Sequence, residues 1–447
     1  MGRRPGLNFL LFLLLLSAFA GGVWLRLSFV PAPSRINPQA EIDPGRHYTL
    51  TLWDFERPLG GEGASYQAEL NAALESFRTR YPNATVTIEL LPWSEEKGAE
   101  RLATALKQGA PPDVLATGPL TGGAWGPLVV PCGPYLAPGE ADEYLVPGWT
   151  GGTGKGGPVA WPRWLEPACW AGNKALLAAA GVPVEAIQAT GWNWEELGQA
   201  AARVRALPGG PALFTSFDLV SLWGELGRGG AAASASGSPW SPENVRAAAE
   251  RAAALWENGA VPRSIGREGY SALDDFFTGQ AAVLGPVHPW FFRAAAERAE
   301  RVIRGGLEPG AARPFPLALL PPPGRGESGV VVRRAEQIYV FRQRRYQGDD
   351  HTRLAMELAR HLSRSSARLA ARLDLVPTYR PAQAEWAKEW AVGEGKVLLT
   401  QLERGTAPAE VETEAAAAER RARLAPLLQR FWKGELSPGE LAAQILE

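Results

Sequence analysis

Tyr48-Thr-Leu-Thr-Leu-Trp53, Ala84-Thr-Val-Thr-Ile-Glu-Leu-Leu91 and Asp113-Val-Leu-Ala-Thr117 are three strand-like runs, separated by helix-like runs over 64–81 and 95–108. In the first helix-like run, Leu70, Leu74, Phe77 and Tyr81 recur at helical spacing and form one apolar stripe for packing on a sheet. Strands that alternate with helices of this length predict parallel pairing, because a parallel return needs a crossover of about a dozen residues or more. Open sheets of this kind bind ligands beyond the carboxyl ends of their strands. Those ends are Trp53-Asp54-Phe55, Pro92-Trp93-Ser94 and Thr117-Gly118-Pro119, a rim expected to form half of a binding site.

The chain of 447 residues exceeds what one compact core usually holds, so two domains are expected. A hydrophobic fraction of 46% and a charged fraction of 21% are those of an ordinary globular protein. The net charge of −1 gives no field that favours nucleic acid, and no nucleic-acid partner is expected. The 17 Trp are the outlier, enough to supply both core and stacking surfaces.

Residues 1–30 read as a targeting segment. Arg3 and Arg4 precede the apolar run 7–16, and Ala18-Phe19-Ala20 resembles a cleavage signal. Apolar character resumes at Val23-Trp24-Leu25, so 7–25 equally fits an uncleaved membrane anchor. Either way the remainder is expected outside the cytoplasm, attached to the membrane or released from it. No Cys is present there to carry a lipid, and 31–45, with four prolines, reads as a tether. Cys132 and Cys169, the whole thiol inventory, are read as two buried small residues, with a disulfide as the alternative.

Further along, Asn193 with Glu196 forms a capping-box pattern, and Ser241-Pro242 a helix start. Strand-like runs occur at 211–217, 281–285, 330–332 and 337–341, and helix-like ones at 352–373, 382–400 and 415–433. A last helix is capped by Ser437 with Glu440. Trp194 and Trp256 fall in apolar helix stripes and are expected in the core.

Catalytic signatures are sparse. No Gly-x-Ser-x-Gly elbow occurs, and Lys155 in the Gly-rich run 151–157 is followed by Gly, which breaks the phosphate-loop pattern. His47, His288, His351 and His361 share no ligand spacing, so neither a metal nor a cofactor is expected. Asp54, Glu56, Glu166 and Asp218 could serve a glycosidase, for which distance is decisive. Indoles with carboxylates and amides also suit reversible binding of a sugar, whose C–H faces stack while its hydroxyl edges hydrogen-bond.

A series of short motifs then carries a family likeness. They are Leu50-Thr-Leu-Trp53, Phe77-Arg-Thr-Arg-Tyr81-Pro82, Leu102-Ala-Thr-Ala-Leu106 and Pro111-Pro112-Asp113-Val114. Val159-Ala-Trp161-Pro162, Asn173-Lys174 before Ala180-Gly181, and Trp192-Asn-Trp194-Glu-Glu-Leu197 follow. The series closes with Phe277-Thr-Gly279-Gln-Ala-Ala282, Leu320-Pro321-Pro322-Pro323-Gly324, Val376-Pro377 and Gly434-Glu-Leu-Ser437-Pro438. In this order they resemble the family 1 extracellular solute-binding proteins of ABC importers, the maltose-binding-protein-like group.

The resemblance implies a periplasmic-binding-protein-like α/β fold, with two lobes joined by a hinge and a ligand cleft between them. It places lobe 1 at 46–163 plus 312–362 and lobe 2 at 164–311 plus 363–447. It also implies a non-enzymatic monomer that hands a small solute, expected to be a carbohydrate, to ABC permease subunits. A membrane-tethered sensor of the same fold and a secreted glycoside hydrolase are the alternatives. Carried onto this chain, the likeness marks Asp54, Glu166, Phe217, Asp218 and Trp290 as ligand-binding, with Phe55, Trp93, Trp161, Trp164, Trp223 and Tyr379 as candidates by place. Two departures stand out: Ala171-Gly172 occupies a usual aromatic position, and the helix near Arg421 lacks the aromatic of maltose-type members.

Overall fold

The computed structural model describes residue 17 and residues 36–59, 65–92, 95–108, 110–118, 120, 127–149, 153–154, 157–228, 240–304, 315–324, 330–342, 346–390, 393–404 and 414–447. The chain divides into two compact units, Met1–Pro38 and Gln39–Glu447, and the second is the α/β body. The targeting segment and Trp93 lie outside the described residues. Among those described, no helix is long and apolar enough to cross a membrane.

The opening strands form as their alternation predicts. β1 (Tyr48–Phe55), β2 (Ala84–Leu91) and β3 (Val114–Thr117) pair in parallel, with β1 central. The helix expected over 64–81 is two pieces, Tyr66–Ala73 and Glu75–Arg80, broken at Leu74. The following helix, Glu95–Gln108, keeps the expected bounds.

Short β4 (Val129–Val130), β5 (Thr153–Gly154) and β6 (Gly157–Pro158) precede the longest strand, β7 (Trp161–Asn173). Its length was hidden in the sequence, because Pro162, Pro167 and Gly172 interrupt any strand pattern. Next come β8 (Ala212–Thr215), β9 (Ala281–Val287), β10 (Leu317–Leu320), β11 (Val331–Phe341) and β12 (Val376–Pro377). The main path runs β2-β1-β3-β11-β7-β9-β8.

β7 serves both halves of this sheet. Its residues up to Ala168 pair with β11, and Cys169 to Asn173 pair with β9 and β10. β11 is antiparallel to β3 and to β7, with Gln337 opposite both Thr117 and Pro162. The β7–β11 ribbon therefore runs on past the carboxyl end of β3. β9 is antiparallel to β7, with Val287 opposite Cys169, and β8 is parallel to β9. The carboxyl ends of β8 and β9 thus point back along β7 toward those of β1 and β3, across the stretch from Arg163 to Ala168.

Each half has its own core. Trp53, Phe55, Leu91, Leu102, Leu115, Tyr339 and Phe341 share one buried cluster. Trp170, Phe214, Trp223, Val283, Leu428 and Trp432 belong to another, against which Trp194 and Trp256 pack as expected. Among the described residues, Trp161, Trp164, Trp170, Trp192, Trp223, Trp386, Trp390 and Trp432 are fully buried. Each such ring removes about 200 Å2 from water, worth roughly 5 kcal/mol before chain entropy is charged. Much of the Trp excess therefore stabilises the fold. Helix starts follow local chemistry: Asn193 and Ser437 complete capping boxes, and Ser241 accepts from the Asn244 N–H ahead of Pro242–Glu257.

Candidate functional site

The facing strand ends bring together residues far apart in sequence, and the two sides differ in character. At the end of β1, Asp54 is buried; Arg163 from β7 donates from Nη1 to Oδ1 at 3.0 Å, and its Nη2 stands 2.8 Å from Oδ2 in the same ion pair. The Tyr66 hydroxyl and the Phe55 N–H also donate to that carboxylate, at 3.0 and 2.9 Å. Burial, followed by the charge of Asp54, pushes the Tyr66 phenol far up, so it remains a donor. The Arg163 guanidinium lies 3.7 Å from the Trp164 ring centre. Asp54 is therefore saturated by protein groups. Beside it Arg57 pairs with the buried Glu336, and burial pulls the Arg57 guanidinium down to about 10, still charged at neutral pH.

The ends of β8 and β9 are open instead. Phe217 is 52% exposed and Trp290 49%, among the large apolar side chains most exposed to water. Asp218 accepts from the Ser221 N–H at 3.0 Å and its hydroxyl at 2.7 Å, capping the helix Leu219–Arg228, and Arg421 stands 3.5 Å from Oδ2. The Trp290 N–H donates to His288 Nδ1 at 3.1 Å, so the ring proton sits on Nε2, which faces Glu166 Oε1 at 3.9 Å. Burial holds His288 below the ordinary range, so the imidazole is neutral at pH 7. Glu166 is part-exposed on β7.

Between the two sides, β11 contributes Arg333 and Arg334. The register advances by two residues on β11 and one on β7 between Val332 and Arg334, which makes Arg333 the extra residue of a β-bulge. A Cβ on Gly118, past the end of β3, would lie 3.0 Å from Arg334 Nε, so that arginine lies against the glycine. Arg333 reaches the other way and donates to Ser221 Oγ at 3.0 Å.

The expected ligand residues thus separate. Glu166, Phe217, Asp218 and Trp290 line the open side with exposed or part-exposed surface. Asp54, Phe55, Trp161, Trp164 and Trp223 are buried, and Trp223 lies within the second core. Tyr379, half-buried, packs on Tyr144 at 5.3 Å with Arg364 over its ring. Arg57, Arg163, His288, Arg333 and Arg334 were not singled out from the sequence. An arginine within Trp161-Pro-Arg-Trp164 was a usable signal, because a cation in an apolar strand demands a carboxylate partner.

Cys132 and Cys169 are free and buried, with burial pushing the Cys132 thiol up to about 12 and Cys169 further in the same direction. Among the described residues, no group of three His, Cys, Asp or Glu is placed to hold a metal. A recess of about 80 Å3 between the helices Glu75–Arg80 and Asp349–Arg364 is a separate feature, whose Arg360 and Arg364 are already paired with Glu140.

Residues 58–332 match the model of a family described as bacterial extracellular solute-binding protein. The chain belongs to that family. No curated protein sequence matches it. Among solved structures it is similar to an extracellular solute-binding protein family 1 from Alicyclobacillus acidocaldarius, with a TM-score of 0.67 and 15% identity over 90% of this chain and 98% of that one. It is also similar to the sugar-binding protein MalE of Xanthomonas citri, with a TM-score of 0.64 and 19% identity over 89% and 95% of the two chains. The cyclic alpha-maltosyl-1,6-maltose binding protein of Arthrobacter globiformis gives a TM-score of 0.60 and 15% identity over 89% and 96%. These likenesses establish the periplasmic-binding-protein-like fold. As a member of this family, the solute-binding chain works outside the cytoplasm and is a binding protein by type.

Proposed function

We propose that this solute-binding protein captures a sugar or related polar solute between the facing strand ends and delivers it to an ABC permease. One observation carries the reading. Two exposed aromatic rings, Phe217 and Trp290, leave adjacent strand ends next to Asp218 and Glu166. Exposed rings beside carboxylates match the two kinds of surface that a sugar presents. Similar structures whose names record binding of maltose-type sugars or cycloalternan support the same class.

We read the body as two lobes, 46–163 plus 312–362 and 164–311 plus 363–447; the two separate cores and the shared strand β7 support a two-lobe division, with β10, whose Ala318 and Leu320 pack in the second core, siding with lobe 2. Tyr379, half-buried, is a further candidate contact for the solute. The chain acts as a monomer, held by an N-terminal anchor or released after cleavage. Several hydrogen bonds and two stacked rings suffice for a Kd of about 1 μM, near −8 kcal/mol. Intrinsic fluorescence titrated with mono- and oligosaccharides is expected to change saturably for at least one of them. A flat response across that panel and across sugar acids and sugar phosphates would sink the proposal.

A further inference from the structure

Among the arginines around the strand ends, Arg333 differs from Arg163, Arg57 and Arg421 in its partner. Arg163 is matched by Asp54, Arg57 by Glu336 and Arg421 by Asp218. Arg333, by contrast, is exposed, and its bond is to the neutral hydroxyl of Ser221. An exposed arginine is ordinarily a solvated surface group. This one is the extra residue of a bulge in the strand that joins the two halves, a device that re-aims a side chain. Ser221 also holds its guanidinium beside the helix that starts just after Phe217 and Asp218. A guanidinium has five donors in a planar fork, so a single bond to one hydroxyl leaves most of them for a planar anionic group.

We propose that the solute carries an acidic group, a carboxylate or a phosphate on a polyhydroxylated body, and that Arg333 receives it. The inference rests on the solute site placed above between the strand ends. Glu166, which faces His288 on the open side, takes hydroxyl donors from the body of the same ligand, and Trp290 takes its apolar face. A neutral oligosaccharide would leave the donors of Arg333 to water and gain nothing from its charge.

Calorimetric titration of the wild type and of R333Q and W290A with maltotriose, glucuronate and glucose 6-phosphate tests this. One acidic ligand is expected to bind the wild type at least about tenfold more tightly than maltotriose, and which one distinguishes carboxylate from phosphate. R333Q should weaken that ligand by about 10- to 100-fold, as loss of a charge-assisted bond does, and leave maltotriose unchanged. Raising salt from about 0.05 to about 0.5 M should weaken the acidic ligand alone. R333Q should melt with the wild type, since Arg333 is exposed. Binding of maltotriose with rejection of both acids overturns the proposal and leaves the solute site standing. So does an acid whose affinity R333Q does not change. An acid lost in R333Q but fully retained in W290A supports the role of Arg333 while breaking the stacking site on which it was placed.

Discussion

Two strand ends of the same kind face each other in this protein and are finished in opposite ways. At the end of β1, Asp54 is closed over by the paired Arg163, a tyrosine hydroxyl and a backbone N–H, all out of water. At the ends of β8 and β9, Phe217 and Trp290 stand half in solvent, with Asp218 held in place by a helix cap. The first arrangement spends its polar groups on the protein, and the second keeps its surfaces for something else. A carboxylate at a strand end is therefore not by itself a ligand contact. What decides is whether the fold brings it a buried cation.

The sharpest way to break this comparison is Arg163→Met. It leaves Asp54 buried without its cation, which costs about 3–5 kcal/mol in systems of this type. Denaturant melts should show that loss, and the D54N/R163M double variant should recover part of it because no lone charge remains. A loss below about 1 kcal/mol for R163M would mean that water reaches Asp54 and that the first end is not sealed.

On the open side, Trp290→Ala should do the reverse. Stability should hold, since half of the ring is in water, while affinity for the bound solute falls by roughly tenfold, the worth of one stacked ring. Calorimetry beside a thermal melt separates the two effects. A large drop in melting temperature with unchanged affinity would assign Trp290 to packing.

The smallest effect concerns pH. Burial holds both His288 and His361 below the ordinary 6.5, despite the opposing pull of Glu166 and Asp374 on His288, which also faces Arg333 and Arg57. The unfolded chain therefore binds more protons below about pH 6.5, so their contribution is complete above that value and is lost as pH falls. Melting temperature should decline from about pH 7 to about pH 5, and the H288Q/H361Q double variant should flatten that slope. An unchanged slope would place the titration on other groups.

The parts of the fold legible in the sequence are those set by near neighbours. The parallel run β1–β3, the capping boxes at Asn193 and Ser437, and the start of Pro242–Glu257 followed from alternation, helical stripes and caps. Strand β11 looked like two pieces, 330–332 and 337–341, because the bulge at Arg333 and the irregular register near Glu336 break the period of two. The family likeness marked Glu166, Asp218, Phe217 and Trp290, and the structure leaves these four exposed or part-exposed. The burial of Trp161, Trp164 and Trp223 was not, because an indole beside a strand end looks the same whether the next layer of helices covers it or not.

The sequence by itself determined the alternation of strands and helices, the caps, and a family resemblance spread over weak motifs, since each depends on residues a few positions apart. Only the tertiary structure decided that Asp54 meets Arg163 across 109 positions of chain, that Arg333 points to Ser221, and that Phe217 and Trp290 remain in water. Those outcomes turn on long-range register along β7 and β11. A shift of one residue there would send the side chains to the other face and exchange sealed ends for open ones.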